Sequence, residues 1–351
     1  VNPLAPLEAP VDPVVALTRI AWLLERDRQS TYRVEAFRKA AAAARGAGRD
    51  ELGRRTSART LTDIPGVGKT TAEVIAEAVG GQLPRYLADL QDAAPASLAD
   101  GGDDLYRAIR GDLHAHTEWS DGGAPLEEMA AAATALGHEW IAITDHSPRL
   151  TVANGLSTER LDRQVRQIEE LNHERSDTDE WCRVLTGIEV DILDDGALDQ
   201  TDEMLDRLDI VTASVHSKLR MDAAPMTRRM VAAASDPRVN VLGHCTGRRV
   251  GTGRGARPQS VFDARAVFTA CLDNRTAVEI NSRPERVDPP DELIELAREL
   301  GCLFAIDSDA HAPGQLDFKA LGAERAERLG IDADRVVTTW PLDRLLEWVS
   351  R

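Results

Sequence analysis

The chain of 351 residues has only four cysteines, Cys182, Cys245, Cys271 and Cys302, and no two stand at the spacing of a zinc knuckle or a redox pair. They are expected to be reduced, buried thiols of a cytoplasmic protein. No uninterrupted apolar run is long enough to cross a bilayer, so no membrane partner is expected. The opening residues, VNPLAPLEAPVDP, lack the basic-then-apolar order of a secretion signal; Pro-rich and acidic, they read as a flexible tail over 1–12. Basic charge is in deficit too. With 42 Lys and Arg against 59 Asp and Glu, the net charge of −17 argues against holding nucleic acid by bulk electrostatics. Residues 1–100 carry 13 basic and 13 acidic side chains, so the whole excess lies beyond them. Bound divalent cations would offset it locally, because a carboxylate-rich site is negative only when empty.

What is present is 42% hydrophobic residues, enough for a core, at a length that suits one large domain plus a small one. Over 13–95 the pattern is helical, with VVALTRIAWLLER, YRVEAFRKAAAAAR and AEVIAEAV placing apolar residues at helix spacing. PASLADGGDD then marks a linker, taken as 96–108. Over 109–351 short β-branched runs alternate with helical ones, the signature of an α/β fold with parallel strands and crossover helices. Seven strands are expected, near 111–114, 140–145, 184–191, 209–215, 239–243, 277–281 and 302–307.

Six of the eight histidines stand at the ends of these runs: GDLHAH, IAITDH, VTASVH, VNVLGH and FAIDSDAH supply His114, His116, His146, His216, His244 and His311. His114 and His116 are two apart, so on an extended segment both point to one side and can grip one ion. Carboxylates accompany them: Asp121, Asp145, Glu189, Asp191, Asp307 and Asp309. The carboxyl ends of strands are where α/β barrels keep their reactive groups. Mixed imidazole and carboxylate donors suit zinc, manganese or iron better than calcium or magnesium. A single strand-end histidine is more often a hydrogen-bonded core or surface residue. It is the joint pattern that points to metal. His138 and His173, in helical or connecting stretches, are read as structural.

The order His-x-His…Asp, Thr-Asp-His, Gly-Ile-Glu-Val-Asp, Ala-Ser-Val-His-Ser, Gly-His, Glu-Ile-Asn and Ser-Asp-Ala-His resembles the PHP (polymerase and histidinol phosphatase) domain. It is closest to the version found in bacterial family X DNA polymerases, and the likeness covers 109–351. The resemblance implies a distorted (β/α)7 TIM-like barrel holding three divalent ions, manganese or zinc with iron as a further option. Its nine ligands would fall on His114, His116, Asp121, His146, Glu189, His216, His244, Asp309 and His311, with Glu189 bridging two ions.

Clustered divalent ions activate a water and neutralise a phosphate under attack, so the implied chemistry is phosphoester hydrolysis. The loop CTGRRVGTGRGARPQS adds Arg248, Arg249, Arg254 and Arg257, whose guanidinium forks match phosphate oxygens; the competing reading is a solvated basic loop. Arg248, placed in the family's His-x-Thr-Gly-Arg pattern, is the first candidate for holding phosphate, with Lys218 and Arg286 behind it.

In the helical part, LTDIPGVGKTTAEVIAE reads as a helix, a tight turn using Gly66 and Gly68, and a second helix starting near Lys69. Amides at such a turn, with the second helix's N-terminus, can cradle a phosphate. It resembles a helix-hairpin-helix, which implies non-sequence-specific contact with the DNA backbone. A P-loop is excluded, because the first glycine of that motif would fall on Asp63 and no strand precedes it. The whole of 13–95 resembles the small DNA-binding domain of family X polymerases. Two departures qualify the likeness: the position of the Schiff-base lysine of lyase-active relatives falls on Val74, and no polymerase palm intervenes before the barrel.

Three functions follow. The first is a metal-dependent phosphoesterase of DNA ends, a 3′-5′ exonuclease or 3′-phosphatase in DNA repair. The second is a small-molecule phosphatase of the histidinol-phosphatase type, and the third a non-catalytic DNA-binding scaffold.

Overall fold

The computed structural model describes residues 3–175, 181–251 and 255–350; Arg254 of the arginine loop falls outside them. The chain divides into two compact units, Val1–Ala96 with Pro313–Gln315, and Ser97–Ala312 with Leu316–Arg351.

The first unit is helical. It contains α1 (Pro13–Arg26), α2 (Thr31–Ala58), α3 (Lys69–Val79) and α4 (Arg85–Ala93). Asp12 starts α1 by accepting from the Val14 and Val15 amides, and Pro13 stands at the first helical position, where its missing N–H costs nothing. Leu17, Ile20 and Leu24 repeat at helix spacing and are fully buried, as are Ala40 and Ala44 on α2 and Ile75 on α3 to within a percent. α2 changes direction at Gly48, whose φ of 77° is non-helical. The stretch expected as a flexible tail is pinned. Gln91 clasps Leu7, accepting from its N–H and donating to its carbonyl, and Arg19 donates to Ala5 O. These side chains supply the hydrogen bonds that a Pro-rich segment cannot make with itself.

The second unit is a curled parallel sheet wrapped by helices. Its strands are β1 (Trp140–Ile143), β2 (Arg183–Asp191), β3 (Ile210–Ser214), β4 (Val241–Leu242), β5 (Ala277–Asn281) and β6 (Phe304–Asp307), paired in that order. Ahead of them lie α5 (Asp103–Ala108) and α6 (Leu126–Ala135). Between successive strands run α7 (Thr158–Glu174), α8 (Asp202–Leu205), α9 (Ala223–Ala234), α10 (Ala264–Asp273) and α11 (Asp291–Leu300), with α12 (Lys319–Arg328) and α13 (Leu342–Val349) closing the chain. α5 occupies the second half of the stretch read as linker. Strand burial is nearly continuous, as a sheet covered on both faces requires. Alternate β5 residues go to different places: Val278 and Ile280 join the core beneath the helices, while Ala277 packs with Leu113, Trp140, Ala142 and Ala305.

The first of the seven expected strands, 111–114, is not regular. Ala142 N donates to Asp112 O and Thr144 N to Ala115 O on the β1 side, and His116 N donates to Ala310 O beyond β6. Elsewhere side chains replace the ladder: Asp307 accepts from Leu113 N, Asp112 from Ser308 N and Thr144 from Ala115 N. With buried side chains satisfying much of its backbone, the segment serves as a distorted seventh stave, joined to its neighbours by isolated contacts such as the parallel bridge Ala115–Ala310 rather than by a continuous ladder. All four cysteines are free and buried. Burial pushes the Cys182 and Cys302 thiols up to about 11, which keeps them protonated.

Candidate functional site

Every stave except β5 delivers donors at or just past its carboxyl end, Glu189 standing two residues before the end of β2. His146 follows β1, Glu189 sits on β2, His216 follows β3, His244 follows β4, and Asp309 and His311 follow β6. His114 and His116 come from the irregular stave. The six imidazoles converge, with neighbouring ring centroids 4.2 to 6.2 Å apart. His114, His116, Glu189, His244 and Asp309 are at most 2% exposed, whereas Asp121 lies at the open side.

Donor distances sort into three sets. Asp309 Oδ1 is 3.4 Å from His116 Nε2 and 3.9 Å from His114 Nε2; Glu189 Oε2 is 3.7 and 3.4 Å from the same two nitrogens. The other oxygen, Glu189 Oε1, is 3.2 Å from His216 Nε2 and 2.8 Å from His244 Nε2. Asp121 Oδ1 is 3.4 Å from both His146 Nε2 and His311 Nε2. The sets overlap: His146 Nδ1 also lies 2.8 Å from Glu189 Oε2, and among the described residues the donor atoms that come within 4.8 Å of one another, the reach of one shared cation, form four groups, His116–Asp121–His146–His311, His114–His116–Asp309, His114–Glu189–His244 and His146–Glu189–His216. All nine residues singled out in the sequence are brought together.

The donors fit a cation on chemical grounds. His114 Nε2, both His116 nitrogens, His216 Nε2 and Glu189 Oε2 are buried without a hydrogen-bond partner. One such orphan costs about 1–3 kcal/mol, so a convergent group is unstable unless something positive sits among the lone pairs. Protons partly serve. Burial would lower the His146 pKa, but Glu189 and Asp121 raise it to about 10. Burial would raise Glu189 and Asp309; the charges of His216 and His114 hold the first well below the usual range, and Arg286 and His114 the second. His116 is driven well below its ordinary value by burial and by His311 and His146 beside it.

A further layer fixes the donors. Asp191 Oδ1 takes His216 Nδ1 at 2.6 Å, and Glu279 Oε1 takes His114 Nδ1 at 2.5 Å. Arg286 Nε donates to Asp309 Oδ2 at 2.9 Å, and Arg283 lies 2.7 Å from His311 Nδ1. Asp145 is buried and accepts from Thr117, Ser120 and Gln164, anchoring the loop that carries Asp121. Asp309 has φ of 51°, a left-handed conformation that a short polar side chain tolerates and that turns it into the cluster. Glu279 received no role in the sequence reading. Its signal was present: a carboxylate in the middle of a strand buried on both faces demands a partner.

Among the phosphate candidates, Arg286 lies against the donor cluster with Nη1 buried and unpartnered. Arg248 donates from Nε to Val287 O at 2.9 Å, one residue beyond Arg286. Lys218, exposed, pairs with Asp194. His138 is buried against Lys319 Nζ at 2.7 Å and His173 is exposed on α7; neither joins the cluster.

In the first unit, the element before the turn is a single 3-10 turn, Leu61–Asp63, in place of the expected helix, and α3 begins at Lys69. Proline at 65 and the short run from Arg59 leave no room for a longer one. Gly66 has φ of 92° and its Cβ position would meet Lys39 O at 3.4 Å, so glycine is required there by conformation. Gly66, Gly68 and Lys69 are exposed, and the Gly68 N–H is donated to Thr71 Oγ1 at 2.9 Å. Val74 is buried on α3.

Comparison with known proteins gives a match to the PHP domain family over residues 112–282. The chain is 38% identical over 243 residues to the DNA polymerase/3'-5' exonuclease PolX of Bacillus subtilis, covering 69% of this chain and 41% of that protein. It is 28% identical over 169 residues to a probable phosphatase of Vibrio campbellii, covering 45% and 64% respectively. The chain thus spans less than two thirds of the length of either relative. Among solved structures it is similar to histidinol phosphate phosphatase from Lactococcus lactis, complexed with zinc, L-histidinol and phosphate, at 18% identity and a TM-score of 0.44 over 64% of this chain and 95% of that one.

Proposed function

We propose, from the premise that residues 112–282 are a PHP domain and the chain a metal-dependent phosphoesterase, that it hydrolyses phosphate esters at DNA ends. The reaction is 3′-5′ exonucleolytic cleavage or removal of a 3′-phosphate, in DNA repair, and the metals are manganese or zinc, with iron as a further option. The observation that carries the reading is the convergence of nine donors into overlapping groups, two of which share Glu189. His114, His116, Glu189 and Asp309 would hold one ion, Glu189, His216 and His244 a second, and Asp121, His146 and His311 the third. Bound there, divalent ions supply an activated water and screen the charge of the phosphate under attack.

The chain's own residues supply the rest. Arg286, with a buried free nitrogen beside Asp309, is positioned to take a phosphate oxygen, and Arg248, from the loop after β4, is bonded to the backbone of Val287 next to it. Lys218 would have to leave Asp194 to serve the same purpose. Gly66, Gly68 and Lys69 form the DNA-binding turn, with the exposed lysine meeting the backbone as a point charge. The likeness to PolX supports a DNA substrate. Free, buried thiols suit the cytoplasm.

The test is incubation with manganese and 3′-labelled single-stranded, duplex and 3′-phosphorylated DNA, alongside histidinol phosphate. A ladder, or release of the 3′-phosphate, that disappears in His114→Ala is expected. Phosphate release from histidinol phosphate alone would replace this reading with the small-molecule phosphatase.

A further inference from the structure

β5 sends no side chain into the three donor sets, yet two of its residues face them. Glu279 and Asn281 are two apart, so they share a face of the strand, and they are 0% and 1% exposed. Glu279 Oε1 meets His114 Nδ1 at 2.5 Å. Glu279 Oε2 accepts from the backbone N–H of His244 and, at 3.2 Å, from Asn281 Nδ2. The same Asn281 nitrogen donates to Asp309 Oδ2 at 3.0 Å. One carboxylate and one amide therefore touch three of the nine donor residues, and those three come from three other staves.

We infer that Glu279, with Asn281 as its coupler, is the positioning residue that sets the orientation and tautomer of His114 and ties it to His244 and Asp309. The inference rests on the reading of these nine residues as metal ligands. A carboxylate can only accept, so the proton on His114 is held at Nδ1 and the lone pair at Nε2 is left facing Glu189 and Asp309. Asn281 and Arg286 together occupy Asp309 Oδ2, which leaves Oδ1 to face His114 and His116. Glu279 uses both of its oxygens: one serves a ring, the other a backbone amide and a side-chain amide. Glutamine in its place has a single acceptor oxygen. If that oxygen faces His114, its NH2 group collides with the donors of His244 and Asn281. If the NH2 group faces His114, the ring must carry its proton on Nε2 and the donor atom is lost. Neither orientation reproduces the wild-type contacts, although the volume is unchanged.

The experiment uses the full chain and Zn2+ competed against a chromophoric chelator, comparing wild type, His114→Ala and Glu279→Gln. Outer residues that orient metal ligands typically control about 10–100-fold of affinity, and a loss of that size is expected in Glu279→Gln. The melting temperature of the chelated protein should move little, and excess Zn2+ should restore phosphoester hydrolysis. In proton spectra of the zinc-loaded protein, the downfield imidazole N–H resonance absent from His114→Ala should also be lost or displaced in Glu279→Gln. Wild-type affinity and an unmoved resonance in Glu279→Gln, alongside weakened binding in His114→Ala, would overturn the inference and leave the metal reading intact. Undiminished binding in both variants would instead sink the metal reading on which it rests. Should Glu279→Gln fail to fold, Asn281→Ala, which cuts the tie to Asp309 while leaving the Glu279–His114 contact, takes its place. Weaker Zn2+ binding in that variant supports the coupling, and unchanged binding overturns it.

Discussion

The turn at Gly66–Lys69 and the cluster around Glu189 are both proposed to meet phosphate, and they are built in opposite ways. The turn is exposed, contiguous in sequence and conformationally local: one positive-φ glycine and a helix start at Lys69 define it. The cluster is buried, drawn from six staves of the barrel unit, and its donors are aimed by contacts with residues distant in sequence. A local device tolerates change in its surroundings; a cluster assembled from distant segments fails when any one contact in its frame is altered.

The comparison is tested most severely at Glu189, the residue common to two donor sets. Glu189→Ala should lower phosphoesterase activity by about 10²–10³-fold, since several kcal/mol of charge stabilisation are lost, while DNA binding by the turn stays as in the wild type. Equal loss of both would mean that the two regions are not independent in function. Metal loading provides the next test. His146 holds its proton up to about 10 in the ion-free site, against an ordinary 6.5. Because the folded value is raised, its contribution to the stability of the ion-free protein is full below pH 6.5 and is lost as pH climbs through 10. The melting temperature of the chelated protein is expected to fall across that window and that of the loaded protein to stay level. Ligation also needs a neutral ring, so titrating metal into weakly buffered protein below that pKa should release protons. A pH-independent melting temperature in chelator would remove the protonated-cluster account.

Arg286→Ala should cost about tenfold in metal affinity through Asp309, in keeping with the effect of outer contacts on ligands. A raised KM with unchanged metal affinity would assign Arg286 to substrate alone. The smallest effect is expected at Lys69. Lys69→Ala should weaken DNA binding modestly and reduce the slope of log affinity against log salt by about 1, the signature of one phosphate contact. Hydrolysis of a small phosphoester should not change, and a drop there would break the separation between local and assembled sites.

Legibility in the sequence followed the same division. The helix at Lys69 and the glycine turn could be read because capping and positive φ are decided within a few residues. The histidines could be read because strand ends repeat a short motif, five times, with apolar runs in front. The expected helix before the turn failed where proline and a short span allow only a 3-10 turn. The tail expected over 1–12 failed because Gln91 and Arg19, far along the chain, clasp it. The strand expected at 111–114 became irregular because Thr144 and Asp307 capture amides of this stave while its own Asp112 reaches across to the Ser308 amide, contacts that no local pattern encodes.

By itself the sequence determined the α/β alternation and the helical first part, since periodicity is a local property, while the nine candidate donors came from the resemblance to the PHP domain. Only the tertiary structure decided how the donors group, with the two oxygens of Glu189 meeting histidines from four staves, and that Glu279 and Asn281 stand behind three of the donors. Those relations depend on distances across the barrel, which arise when seven separate segments pack against one another and cannot be read from any one of them alone.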